Sequence, residues 1–195
     1  SAAFRVRSAA AFGMHKFFQE NGFVYIHTPV ITTTDCEGAD MFQVTTLDQE
    51  DLPKAEDGSV DYRQDFFQKK VFLSGSGQLQ VECTAQAFSK VYTFGPTFRA
   101  ERSNTPRHAS EFWHIEDLSD DMDVIEAAVK YVINYVLETC PQDMEFCNQF
   151  VDKGLLERLR HVAGPDFARI TYTEAIKILE EHNSEFEYKA IWGED

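Results

Sequence analysis

Residues 94–116 read FGPTFRAERSNTPRHASEFWHIE, and this stretch decides the fold. Apolar and polar residues alternate on either side of a polar centre, which predicts two short strands around a loop at residues 103–109. Arg99 and Glu101 stand two apart on the first strand and so share a sheet face. On the second strand Phe112, His114 and Glu116 share one face, while Trp113 and Ile115 take the other and are expected to enter a core. The loop places Arg107 and His108 beside Asn104 and Pro106. A guanidinium grips a phosphate through two hydrogen bonds, an aromatic face stacks on a base, and a basic loop closes over outer phosphates. Taken one at a time these residues are ordinary: an Arg and a Glu on a strand face form a surface pair worth under about 1 kcal/mol. Together they describe an ATP pocket.

The rest of the chain bounds that reading. At 195 residues it suits one domain with a sizeable core. Its 43% hydrophobic content, with 17 Phe, argues against disorder. The apolar runs are too short to span a bilayer and no charged-then-apolar leader opens the chain, so a soluble intracellular protein without membrane contact is expected. The cysteines, Cys36, Cys83, Cys140 and Cys147, form no CxxC pair. Free thiols in a reducing compartment are therefore expected, not a zinc or redox site. The formal net charge of -15 fits a general nucleic-acid binder poorly, because neutralising phosphates takes Lys and Arg. Any contact with RNA must come from local basic patches. Acids such as Asp48, Glu50, Asp51, Glu56 and Asp57 read as a solvated loop. The chain opens on Ser1 and runs out at Asp195 without a stop signal, so both ends look cut from something longer.

Outward from the central hairpin, Ala10, Met14, Phe17 and Phe18 recur at helical spacing and predict an amphipathic helix over residues 2–20. Asn21-Gly22 supplies its stop. A short strand over 23–26 follows, broken at Thr28-Pro29. Residues 31–47 read as a loop and then a strand anchored by Met41 or Phe42, and residues 52–68 as a polar surface insertion. Residues 71–73 form a strand, and the Ser-Gly-Ser-Gly run at 74–77 lets backbone approach a ligand closely. A helix is predicted over 78–90 with Leu79, Cys83 and Ala87 as its apolar row. Beyond the hairpin, acids at 119–123 open a helix and complement its dipole. Val129, Val132, Ile133, Val136 and Leu137 give it the strongest helical period in the chain. Pro141 ends or restarts it, residues 142–162 are helical with a break at Gly154, and 167–171 read as a strand. Thr173 is expected to cap a last helix carrying Ala175, Ile176 and Leu179. Strands joined by hairpins, not by regular βαβ units, predict an α+β fold: an antiparallel sheet flanked by helices.

Two further segments sharpen the chemistry. Gln78 and Glu82 are four apart, so on a helix they project from one face and could read a polar side chain by its donors and acceptors. Glu37, in DCEGA, is on its own an ordinary loop acid.

The run FRAE, SNT, RH and EFW resembles motif 2 of the class II aminoacyl-tRNA synthetases. TFGPTFRAE with RHxxEFW is similar to the asparaginyl members of the aspartyl/asparaginyl branch. GFVYIHTPVI resembles motif 1, the dimer-interface segment, and SGQLQVE resembles the segment that binds the amino acid. On this resemblance residues 1–195 are part of the catalytic domain, with motif 1 at about 10–32 and motif 2 at about 94–116. Motif 3 and the anticodon-binding β-barrel are absent from the stretch. The implied activity is asparagine–tRNA ligase, with ATP activating asparagine and tRNA(Asn) accepting it. A catalytically inactive dimerising fragment and an aspartyl-tRNA synthetase are the alternatives.

The resemblance also implies roles. Arg99 would meet the α-phosphate and the carboxylate, Glu101 the adenine side, Arg107 and His108 the outer phosphates, and Phe112 the base. Glu37, Ser76, Gln78 and Glu82 would hold the amino acid, with Glu82 accepting the asparagine amide where aspartyl enzymes place a Lys. No Lys stands between Ser76 and Ala87. The chain departs from the family in two places: EGADMF is one residue shorter than the usual EGAGEMF, and Arg102 replaces a common Asn. Mg2+ is implied with ATP, its ligands lying outside this chain. A homodimer in the cytoplasm is implied, an organellar enzyme being the alternative, and the stretch alone is expected to be inactive.

Overall fold

The computed structural model describes residues 1–33, 40–102, 108–117, 122–186 and 188–193, with residues 116 and 117 as backbone only. Helix α1 (Ala2–Glu20) ends where Asn21 and Gly22 turn back onto it: the Asn21 side chain donates to the Phe17 carbonyl at 2.8 Å, and Gly22 takes φ +81°. That left-handed turn brings the chain round into β1 (Val24–Tyr25), and the positive φ is why Gly suits the position. Then follow β2 (Ile31–Thr32), β3 (Gln43–Val44), β4 (Val71–Leu73), α2 (Gln78–Phe88), β5 (Val91–Phe98) and β6 (Glu111–Asp117). Among the described residues four α-helices follow: α3 (Met122–Thr139), α4 (Pro141–Phe150), α5 (Leu155–Ala163) and α6 (Tyr172–Glu181).

The strands form two three-stranded sheets, ordered β1-β5-β6 and β2-β4-β3. Every pairing is antiparallel except that of β1, which runs parallel to β5 with Val24 opposite Val91. The α+β class is as expected, with this one parallel edge. In the β5–β6 pair Thr97 stands opposite Phe112 and Gly95 opposite His114. Antiparallel partners share a face. One side of the hairpin therefore carries Thr93, Thr97, Phe112 and His114, and the other carries Tyr92, Phe94, Trp113 and Ile115.

That second side meets α1. The core gathers Phe17, Phe18, Phe23, Tyr92 and Ala128, with Ile115 packed at its margin. Phe18 stacks on Tyr92 with ring centroids 4.7 Å apart and planes 15° from parallel. The Tyr92 hydroxyl is 2.8 Å from His15 Nδ1, so the buried phenol is satisfied at its polar tip. Burial pushes the Tyr92 phenol above its ordinary value. Helix α1 also packs on α3 and α4, and the Arg5 guanidinium grips the Asp143 carboxylate of α4.

Several sequence expectations are corrected. Trp113 does not enter the core; it is 48% exposed and lies edge-on to Phe94, whose ring fills the place nearer α1. On α2 the buried residue is Val81, turned to β5, while Leu79, Cys83 and Ala87 lie on the exposed side. Residues 167–171 form no strand: the Phe167 N–H donates to Glu126 at 3.1 Å and Arg169 pairs with Asp123 and Glu126. Side chains of α3 thus take the place of a neighbouring strand. The cap of α6 is Thr171, two residues earlier than expected, in a reciprocal capping box with Glu174. Strand β5 ends at Phe98, so Arg99 and Glu101 follow it instead of lying on it.

The insertion between β3 and β4 is held by one carboxylate. Asp65 is 5% exposed and accepts from Thr45 Oγ1 (2.6 Å), Thr46 N (2.9 Å), Thr46 Oγ1 (2.8 Å) and Phe66 N (2.7 Å). These donors, the Thr45 hydroxyl first, hold its pKa down to about 2. Nothing in the composition of a polar insertion marked this residue as buried.

Truncating Phe18 to Ala is expected to destabilise the fold by about 3–5 kcal/mol, read by denaturant unfolding of the complete protein. For Asp65 the folded pKa lies below the unfolded value of about 3.9. Its stabilisation is therefore full above that value and falls away as pH drops from about 4 toward 2. Asp65→Asn is expected to lower the midpoint at neutral pH and to flatten this acid limb in a pH series of thermal melts.

Candidate active site

The candidate site lies where the end of β5 meets the turn between β4 and α2. The turn is held firmly. Ser74 N donates to Val30 O at 2.8 Å, Phe98 N donates to Ser74 O at 2.9 Å, and Ser74 Oγ donates to Ser76 O at 2.7 Å. Gly77 then starts α2 packed against Thr28; a Cβ built there would sit 2.7 Å from Thr28 Oγ1 and 3.1 Å from its Cγ2. A β-branched neighbour has little rotamer freedom to withdraw, so the absence of a side chain at 77 is what lets the helix begin here.

From that start α2 presents two predicted site residues together. Gln78 Nε2 donates to Glu82 Oε1 at 2.9 Å, and Gln78 N donates to Ser76 Oγ at 3.0 Å. Both Gln78 and Glu82 are exposed, so the pair faces open space one turn apart, as the i, i+4 spacing requires.

Arg99 meets this turn from the other side. Its Nε donates to Gly75 O at 3.4 Å, and its guanidinium carbon lies 5.4 Å from the centroid of the Phe112 ring. The backbone still follows the hairpin, with Arg99 N donating to Ser110 O at 3.1 Å. Thus Arg99, Phe112, Ser76, Gln78 and Glu82 gather about one turn and one strand end. The sheet face below continues through Thr97 and His114 into a narrow cleft that is also bounded by Thr28, Ser74 and Gly77.

Glu101 is turned to another task. Its Oε1 accepts from Asp40 N at 3.3 Å, while Asp40 O accepts from Ala100 N at 2.8 Å. The segment after β5 is thereby laced to the residues that lead into β3. His108 is exposed on the chain returning to β6. Glu37 and Arg107 lie outside the described residues, as does the side chain of Glu116. Backbone groups at Gly75 and Asp40, which sequence reasoning did not single out, contribute as much to the arrangement as the side chains. The Gly-Ser-Gly run was the signal for the first; nothing in the sequence signalled the second.

Among the described residues no three His, Cys, Asp or Glu side chains gather closely enough to hold a metal ion. No described helix is long and apolar enough to cross a membrane.

Comparison with known proteins bears on the family of the chain. The family described as tRNA synthetases class II (D, K and N) matches residues 1–191. The asparagine–tRNA ligase of Clostridium novyi (strain NT) is 62% identical over 202 aligned residues, covering all of this chain and 44% of that protein. That of Alkaliphilus metalliredigens (strain QYMF) is 58% identical over the same length and the same shares. The chain therefore spans less than half the length of the curated relatives it matches. Among solved structures, asparaginyl-tRNA synthetase from Pyrococcus horikoshii complexed with asparaginyl-adenylate superposes with a TM-score of 0.74 at 30% identity. That match takes in all of this chain and 40% of the other. With nearly its whole length matched by the family and its strand-end arginine, aromatic strand and glycine turn brought to one place, this chain belongs to the class II tRNA synthetases of the D, K and N group.

Proposed function

We propose that the chain is part of the catalytic domain of an asparagine–tRNA ligase, which activates asparagine with ATP and passes it to tRNA(Asn). The observation that carries this reading is the meeting of Arg99 and Phe112 with the turn that launches Gln78 and Glu82. A phosphate-gripping group and an amide-reading pair then lie on adjoining elements, as joining an amino acid to a nucleotide demands. Relatives at about 60% identity that carry the same activity support it.

In the first step a carboxylate oxygen of asparagine attacks the α-phosphorus of ATP in line. The new O–P bond forms as the bond to the bridging oxygen breaks, and that electron pair leaves with pyrophosphate. A ribose hydroxyl of the tRNA terminus then attacks the acyl carbon and displaces AMP. No side chain forms a covalent bond, so the protein acts by position and charge. Arg99 donates to the α-phosphate and the asparagine carboxylate, where negative charge accumulates. In the free protein its guanidinium covers one face of Phe112. Stacking of adenine on that face and the swing of Arg99 to the phosphate are then one event. Glu101, joined to Asp40 N in the free protein, would serve the adenine side, and Arg107 and His108 would serve the outer phosphates.

Selection of the amino acid falls to α2. Glu82 accepts the amide N–H of asparagine with its free lone pairs while Gln78 holds it in place. The carboxylate of aspartate would meet this acid as a like charge, which is a cost of the kind that separates similar substrates strongly. Ser76 and Glu37 complete the amino-acid pocket. Two copies pair through the region of motif 1, where Phe12, Val24 and Ile31 stay exposed in the single chain. A cytoplasmic enzyme fits this activity.

Pyrophosphate exchange into ATP is the decisive measurement on the complete protein: exchange driven by asparagine and not by aspartate is expected. Absence of exchange would leave a binding protein, and exchange with aspartate would make it an aspartyl enzyme. Glu82→Lys is expected to abolish exchange with asparagine; unchanged kinetics would remove that role. Gly77→Ala is expected to raise the KM for asparagine by about tenfold or more, since about 1.4 kcal/mol of lost fit is tenfold. Adding Thr28→Ala, which removes the two nearest atoms, is expected to recover part of it.

A further inference from the structure

The insertion ahead of β4 carries a feature that adenylation does not use. Phe66 is 74% exposed and Phe67 also stands in solvent, their rings edge to face with centroids 4.9 Å apart. Lys69 and Lys70, both exposed, follow at once. Within a chain of 33 acids and 18 Lys and Arg, two adjacent lysines beside two exposed rings are a local reversal of character. The turn is also fixed rigidly. Asp65, buried and bonded four times, anchors its start, and Gln68 N donates to Asp65 O at 3.0 Å. Gln68 itself takes φ +56°, a conformation disfavoured for a residue with a side chain. Exposed rings held by a buried clamp and a strained turn are presented outward by the fold.

We propose that Phe66, Phe67, Lys69 and Lys70 form a stacking and phosphate-binding platform for unpaired nucleotides of the RNA that accepts the acyl group. The chemistry favours RNA over protein. Lysine is depleted at the cores of protein interfaces, where an ammonium loses water without gaining a strong partner. Phosphates supply that partner, and unpaired bases offer faces to aromatic rings. Single-stranded RNA suits the platform better than a duplex, whose bases already stack on one another. Position favours it too. Lys70 and Ser74 flank β4 four residues apart, about 13 Å at the rise of a strand, so the second lysine stands within the span of a few nucleotides of the turn that opens the candidate site. The identity of the RNA rests on the ligase reading; the platform itself does not.

The test is binding of a tRNA(Asn) transcript to the complete protein, followed by fluorescence anisotropy across a salt series. Phe66→Ala with Phe67→Ala is expected to weaken binding by about tenfold at every salt concentration. Lys69→Ala with Lys70→Ala is expected to reduce the slope of log affinity against log salt by about 1.4, the value for two contacts to a single strand. Replacing both rings by Trp is expected to preserve affinity, which a purely structural role would not predict. Asparagine-driven pyrophosphate exchange should be unchanged in all three, since activation needs no RNA. Parental affinity and slope in both Ala pairs would overturn the platform, as would conversion of a dimer to monomers in sedimentation, which would give the rings to a second copy. Loss of exchange in the unaltered protein would instead overturn the ligase reading and leave the RNA measurement standing.

Discussion

The stack of Phe18 on Tyr92 is the contact from which the rest of the arrangement follows. It joins the last turns of α1 to the second residue of β5 with both rings out of water. A side chain of this size buries 150–250 Å², the largest single contribution any residue type makes to a core. Because side chains alternate along a strand, fixing Tyr92 inward sends Thr93 and Thr97 to the opposite side, the side on which Arg99 meets Phe112 just past the strand end. The helix thus sets which way the arginine points, although it lies on the far side of the sheet from it. A one-residue slip of β5 would turn Arg99 toward α1 and expose the tyrosine. The hydrogen bond between the Tyr92 hydroxyl and His15 makes such a slip costly, since the phenol would leave its partner.

Much of this was legible in the sequence because it is local. The alternation from Phe94 to Glu116 located β5 and β6, the period of Val129 to Leu137 located α3, and Gly154 marked the break before α5. The spacing of Gln78 and Glu82 placed them on one face, where they join. What was not legible depends on neighbours distant in the chain. Leu79 and Cys83 are as apolar as Val81, and only the position of β5 decides that Val81 is the buried one. Trp113 alternates correctly with Phe112, yet Phe94 already occupies the site nearest α1. Residues 167–171 have strand-like composition, but acids on α3 satisfy them instead. Asp65 looks like any acid of a polar loop until Thr45 and Thr46 are seen folded over it.

The two halves of the candidate site differ in how they are held. Ser74 to Gly77 is pinned by backbone bonds to Val30 and to Phe98 of β5 and by the close approach to Thr28, so α2 starts from a fixed point. Arg99 is held by a long hydrogen bond and by the face of a ring, interactions individually weak enough to be exchanged for a ligand. On the proposed ligase reading, a rigid reader of the amino acid would then stand beside an adaptable phosphate grip. Discrimination between amide and acid needs fixed geometry, whereas the arginine would follow charge as it moves from ATP to the leaving pyrophosphate.

The lacing of Asp40 to Ala100 and Glu101 has a thermodynamic consequence. Two hydrogen bonds make the strand end beside Arg99 and the chain leading into β3 a single body. On the proposed ligase reading, a ligand that steadies one of them would lower the entropy left to lose when a second ligand orders the other, so the two would bind with positive cooperativity without any change of shape. By linkage the benefit is mutual and of equal size in either order of arrival. On the proposed reading, a short stretch of main chain after β5 would thereby make each substrate an effector of the other.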